Sequence, residues 1–222
     1  DGIWEGIRLL NGKLVSIDQH LKRLFFGAKK LDIKIGFSKK QLIDIINKTL
    51  RVNNMQSHVH IRLIISRGLK KTPYQHPNAN VNGSTIVVIP EYKKADKRIN
   101  KNGINLVTVK TRRGTSFTQD PRLNTLSKIN CILACIEADK AGADEGIMLD
   151  INGNVSTCTS TNFFIVRKGE VWTSTGKYCL PGVTRKIVID LCKENNISIF
   201  EKDFCIEDVH GSDEAFVTGT FA

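Results

Sequence analysis

The chain has 222 residues, 41% of them hydrophobic, and a formal charge of +11, an apolar share that supports one good core or two modest ones. No run approaches the roughly eighteen apolar residues of a membrane span, and the N-terminus lacks the basic, apolar and small-residue order of a signal peptide, so a cytoplasmic protein that does not enter a membrane is expected. The positive charge is mostly dispersed lysine without a recognition helix or an aromatic-rich strand, which excludes nucleic acid as the expected partner.

In chain order, Ile3 to Leu10 and Lys13 to Ile17 flank Asn11-Gly12, a pair suited to a tight hairpin turn. Asp18 is placed to cap a helix whose apolar positions are Leu21, Leu24, Phe25, Ala28 and Leu31, with His20 and Arg23 on the opposite stripe. Ser38 and Gln41 form a capping box before a second helix that buries Leu42, Ile45, Ile46 and Leu50. Val59 to Ser66 and Thr85 to Ile89 read as strands on either side of a long loop containing Gly68, Pro73, Pro77 and Gly83. The polar run from Glu91 to Gly103 is the expected linker between a small lobe (1–95) and a larger one (104–222).

Beyond the linker, the pattern predicts a strand at Ile104 to Val109, a helix from about Thr125 to Lys140, and strands at Gly146 to Asp150, Val155 to Thr157 and Phe163 to Val166. A helix opens at Gly182 and closes near Asn195, and Glu214 to Thr218 is a last strand. Helices and strands mix without a repeating βαβ rhythm, so the expected class is α+β. The six cysteines (Cys131, Cys135, Cys158, Cys179, Cys192, Cys205) lack zinc-site spacing and read as buried thiols in a reducing compartment. Strand patterns run up to both ends, at Asp1 and Ala222, so the full protein is expected to extend beyond them.

Three segments carry groups suited to an anion. Pro181-Gly182-Val183-Thr184-Arg185 sets a glycine before a helix start, where backbone N–H groups and a hydroxyl favour negative charge. Thr218-Gly219-Thr220 follows a buried strand, and Arg23 lies off the apolar face of its helix, by default a solvated arginine. Each is weak alone.

The stretch GIWEGIRLLNGKLVSIDQHLKRL, and further on IEADKAGADEGIMLDINGNVS, STNFFIV, LPGVTR and DEAFVTGT, resemble the successive motifs of class IV (fold type IV) pyridoxal-phosphate aminotransferases of the branched-chain and D-amino-acid kind. The resemblance runs the length of the chain and implies a two-lobed fold, a small N-terminal α/β lobe and a larger barrel-like mixed lobe with helices. It also implies a homodimer, amino-acid and 2-oxo-acid substrates, and pyridoxal 5'-phosphate held by its phosphate. By position, Arg23 would pair with that phosphate, Val183 and Thr184 would supply helix-start donors, and Gly219 and Thr220 would add others.

The departures from the family concern the chemistry. The family's Schiff-base lysine falls at Asn124, whose amide cannot form one. Lys128, four residues on, would share a helical stripe with Asn124, Cys131 and Cys135 and is the candidate catalytic amine. Thr157 stands where the family has a glutamate that keeps the ring nitrogen protonated. Trp4 replaces a hydroxyl-bearing aromatic, and Arg62 and Arg67 are candidates for the substrate carboxylate. Two outcomes follow: an aminotransferase or related lyase of the aminodeoxychorismate kind that uses Lys128, or a homologue that binds cofactor or another phosphorylated ligand without transferring amino groups.

Overall fold

A computed structural model describes residues 1–94 and 97–220, and the fold is α+β. Two compact units account for it: Asp1–Lys94 together with Asn124–Ser127, and the remaining described residues.

In the first unit, β1 (Gly2–Leu10) and β2 (Lys13–Leu14) form the hairpin, with positive φ at both Asn11 and Gly12 as the tight turn requires. They are followed by α1 (Ile17–Lys30), α2 (Lys39–Val52), β3 (Val59–Ser66) and β4 (Thr85–Tyr92), giving an antiparallel sheet of order β2-β1-β3-β4. Ile3, Ile7 and Leu9 alternate inward along β1, as do Val59, Ile61, Leu63 and Ile65 along β3. They pack with Leu21 and Leu24 of α1 and Leu42, Ile46 and Leu50 of α2.

Several expectations change here. The residue capping α1 is Ser16, in a left-handed conformation, while Asp18 lies in the first turn, and Ile17 opens the helix instead of closing a strand. His20 is buried, at 3% exposure, not on a solvent stripe. The box at Ser38 forms as read, with Ser38 Oγ accepting from the Gln41 N–H and Gln41 Oε1 from the Ser38 N–H.

In the second unit, α3 (Lys97–Asn102) is followed by β5 (Leu106–Thr108), α4 (Ile129–Lys140), β6 (Glu145–Leu149), β7 (Val155–Cys158), β8 (Asn162–Arg167) and β9 (Glu170–Thr173). Then come α5 (Val183–Glu194), β10 (Ile199–Glu201), α6 (Ile206–His210) and β11 (Glu214–Thr218). The strands make sheets of order β5-β6-β7 and β10-β9-β8-β11. Of the polar stretch read as a linker, β4 takes the part to Tyr92 and α3 the part from Lys97; Ala95 and Asp96 lie outside the described residues.

The helix expected from Thr125 begins four residues later. Residues 124–127 instead pair with β1, where Trp4 N–H donates to Asn124 O and Leu126 N–H to Gly2 O. The expected common helical stripe for Asn124 and Lys128 therefore does not exist, because Lys128 is the residue that caps α4. Cys158, Cys179 and Cys192 are buried as expected, but Cys135 is exposed and Cys131 and Cys205 are half-buried. Among the described residues, no helix is long and apolar enough to cross a membrane.

Candidate functional site

The second unit gathers polar groups at the start of α5. Gly182 caps that helix, so the N–H groups of Val183 and Thr184 lie in the first turn, where no residue four back supplies an acceptor. A Cβ on Gly182 would stand 2.0 Å from Asn162 Oδ1, so only glycine lets Asn162 close against the helix start. The buried Asn162 donates through Nδ2 to Leu180 O at 3.1 Å. Across the β8–β11 ladder its partner is Thr218, immediately before Gly219 and Thr220. Helix start and strand end are thus tied together by one asparagine that sequence reasoning missed. Thr218 itself is 8% exposed, and its hydroxyl is buried without a hydrogen-bond partner. The open N–H groups at the α5 start suit an anion with many acceptor oxygens, such as a phosphate.

Thr157 lies at the end of β7, buried, its hydroxyl donating to Thr161 O at 2.7 Å. The turn that holds it is organised by Glu145 at the start of β6. Oε1 of that carboxylate accepts from the Thr159 hydroxyl and from the Ser160 hydroxyl and N–H, and Oε2 accepts from the Thr161 hydroxyl at 2.8 Å. The sequence signal for it was present: one carboxylate opening an apolar strand, and three consecutive hydroxyl residues after β7. Burial, followed by the Glu145 charge, pushes the Cys158 thiol far above its ordinary range, so this neighbour of Thr157 is an inert packing group.

The first turn of α4 is tied to the same region through Arg113. That guanidinium donates to Cys131 Sγ at 3.0 Å and to Tyr178 O at 3.2 Å, and the Ser156 hydroxyl shares the Tyr178 carbonyl. Lys128, half-buried, is two residues from Asn130, which also accepts from Arg113 at 3.4 Å. The start of α5 and the end of β11 therefore offer donors of a kind that fits a phosphate. Thr157 presents a neutral hydroxyl whose proton is already given to Thr161 O.

In the first unit, Arg23 is not a solvated arginine. Its Nε and Nη2 grip the two oxygens of Glu5 at 2.8 and 2.7 Å, and His20 Nδ1 lies 2.8 Å from Glu5 Oε2. Asn124, 6% exposed, donates through Nδ2 to Trp4 O at 2.7 Å. The Trp4 indole in turn donates to Thr125 O, and its ring lies 4.1 Å under the Arg62 guanidinium, a cation–π contact. Trp4 and Arg62 thus share one sheet face. Arg67 is engaged elsewhere, on the Asp1 carboxylate and the Leu31 and Asp32 carbonyls.

Comparison with known proteins agrees with this architecture. Residues 2–222 match the family model described as amino-transferase class IV. The chain is 38% identical over 220 residues to branched-chain-amino-acid aminotransferase-like protein 1 of Arabidopsis thaliana; the match takes in 99% of the chain and spans 40% of that relative's length. It is 35% identical over 223 residues to a putative branched-chain-amino-acid aminotransferase of Methanocaldococcus jannaschii, covering all of the chain and 76% of the relative. Among solved structures, the T.th. branched-chain amino acid aminotransferase complexed with N-(5'-phosphopyridoxyl)-L-glutamate superimposes with a TM-score of 0.91. That match is at 28% identity, over all of this chain and 73% of that one.

Proposed function

The chain belongs to the class IV amino-transferase family, and on that premise we propose that it is the cofactor-holding part of a pyridoxal-phosphate-dependent aminotransferase. It moves an amino group between a branched-chain or D-type amino acid and a 2-oxo acid, as a cytoplasmic homodimer. The observation that carries this reading is Asn162, which closes against the α5 start at Gly182 and pairs with Thr218 immediately before Gly219 and Thr220. The donors of Val183, Thr184, Gly219 and Thr220 would hold the phosphate, the helix dipole favouring its charge; Arg23 is assigned to a phosphate by its place in the family's motif.

Bound there, the cofactor supplies an electron sink for the carbanion at the substrate α-carbon. Lys128 would be the amine that holds the cofactor and moves the substrate's α-proton, since Asn124 offers neither nucleophile nor base. Thr157 would offer a ring nitrogen only a neutral oxygen, a weaker support for the sink than a carboxylate partner would give. Trp4 and Arg62 present an apolar surface and a cation to the substrate carboxylate.

A second reading is favoured by Asn124 and Thr157, whose side-chain amide and hydroxyl already donate to main-chain oxygens: the chain holds the cofactor by its phosphate and transfers nothing. Borohydride trapping with pyridoxal phosphate, read by mass, separates the two. The wild type is expected to trap and Lys128→Ala to fail. Trapping by Lys128→Ala at wild-type yield removes Lys128 from its role, and a wild type that binds but never traps establishes the second reading.

A further inference from the structure

We propose that Glu5 is a positioning residue for Arg23, fixing the plane of its guanidinium for the phosphate of a bound ligand. This rests on the reading that Arg23 is a phosphate ligand.

Glu5 occupies an inward position of β1, in phase with Ile3, Ile7 and Leu9, and is 0% exposed. The core on that side of the strand includes Leu21 and Leu24 of α1, both 2% exposed or less. A carboxylate in such a place bears a large desolvation cost, and a buried ion pair seldom stabilises a fold better than apolar side chains of the same volume. Stability is therefore a poor reason for an acid here. Orientation is a better one.

The Nε and Nη2 edge of Arg23 meets both carboxylate oxygens, which leaves the guanidinium one plane and one rotation. Arg23 is 13% exposed at its side chain while Glu5 is fully covered, so the fork faces inward and holds a group that lies nearer the surface. His20, one turn before Arg23 on α1, contacts the same Oε2 and keeps the carboxylate from rotating. A lysine at position 23 would keep the charge and lose this registration.

The test is equilibrium binding of pyridoxal phosphate and of pyridoxal, which lacks the phosphate, to the intact chain. Wild type, Arg23→Ala, Glu5→Gln and Arg23→Lys are compared, with thermal melts as a check of folding. Glu5→Gln is expected to lower the preference for pyridoxal phosphate over pyridoxal by about tenfold, the equivalent of one charge-assisted hydrogen bond, and to leave pyridoxal binding unchanged. Equal losses for both ligands would mean that Glu5 only supports the fold, which overturns the proposal. If Arg23→Ala loses the preference and Glu5→Gln keeps it, the positioning role fails and Arg23 remains a phosphate ligand. If Arg23→Ala keeps it, the phosphate reading of Arg23 fails and takes this inference with it. Should Glu5→Gln not fold, Arg23→Lys decides: loss of the preference supports registration by the fork, and a wild-type preference overturns it.

Discussion

At Thr218 a hydroxyl is buried with nothing to bond to, and an isosteric methyl would cost the fold nothing in that place. Leaving such a group unsatisfied costs about 1–3 kcal/mol, so Thr218→Val is expected to raise the melting temperature of the ligand-free chain. If the hydroxyl serves a phosphate, the same substitution lowers the stabilisation gained on adding pyridoxal phosphate. Melts with and without ligand read both effects, and a variant stabilised equally in both conditions would show the hydroxyl to have no ligand role. His60 makes a second case. Burial lowers its pKa from the ordinary 6.5, partly offset by the hydrogen bond to Glu91. The folded state therefore binds a proton less readily than the unfolded one, and stability falls as pH drops below about 6.5. His60→Gln is expected to flatten the melting temperature over that range. Glu5 and Glu145 were both visible in the sequence as acids in apolar strands. Their partners were not, since those on α1 lie 15 and 18 residues from Glu5 and the hydroxyl turn 14 to 16 from Glu145.

Among the elements, those with their own punctuation were the legible ones. The capping box at Ser38 closes both of its hydrogen bonds, and Ser38→Ala is expected to cost about 1 kcal/mol by denaturant unfolding, with an unchanged m-value. β3 and β11 fall where their β-branched and aromatic runs place them. Two strands went unread because both are short: β9 is a four-residue return after Gly169, and β10 has three residues whose alternation is too short to register. The start of α4 was misplaced because Thr125 and Leu126 fit a helical stripe, whereas pairing with β1 satisfies their backbone in a way no local pattern reveals. That same error produced the expected stripe shared by Asn124 and Lys128. The candidate anion-site residues at α5 and after β11 were legible as types, and their joining through Asn162 was not, because it depends on a strand register and on the missing Cβ of Gly182.

For the molecule as a whole, residues 124–127 matter out of proportion to their number, since they belong to the first unit while their flanks on both sides belong to the second. Two main-chain hydrogen bonds to β1, the Asn124 amide on Trp4 O and the Trp4 indole on Thr125 O hold them. Gly2 packs so closely here that a Cβ would come within 2.8 Å of Leu126 Cδ1. Leu126→Pro deletes the N–H that bonds Gly2 O while keeping the extended backbone that a residue before proline prefers. One orphaned carbonyl at a strand costs about 1–3 kcal/mol, and that loss is confined to the first unit. Hydrogen exchange should show it: protection of the Trp4 amide falls, and the amides of β6 and β7 in the second unit keep theirs. Equal loss of protection in both units would mean that they unfold as one cooperative body. Unchanged protection at Trp4 would mean that the bridge between β1 and residues 124–127 contributes nothing to the stability of the first sheet.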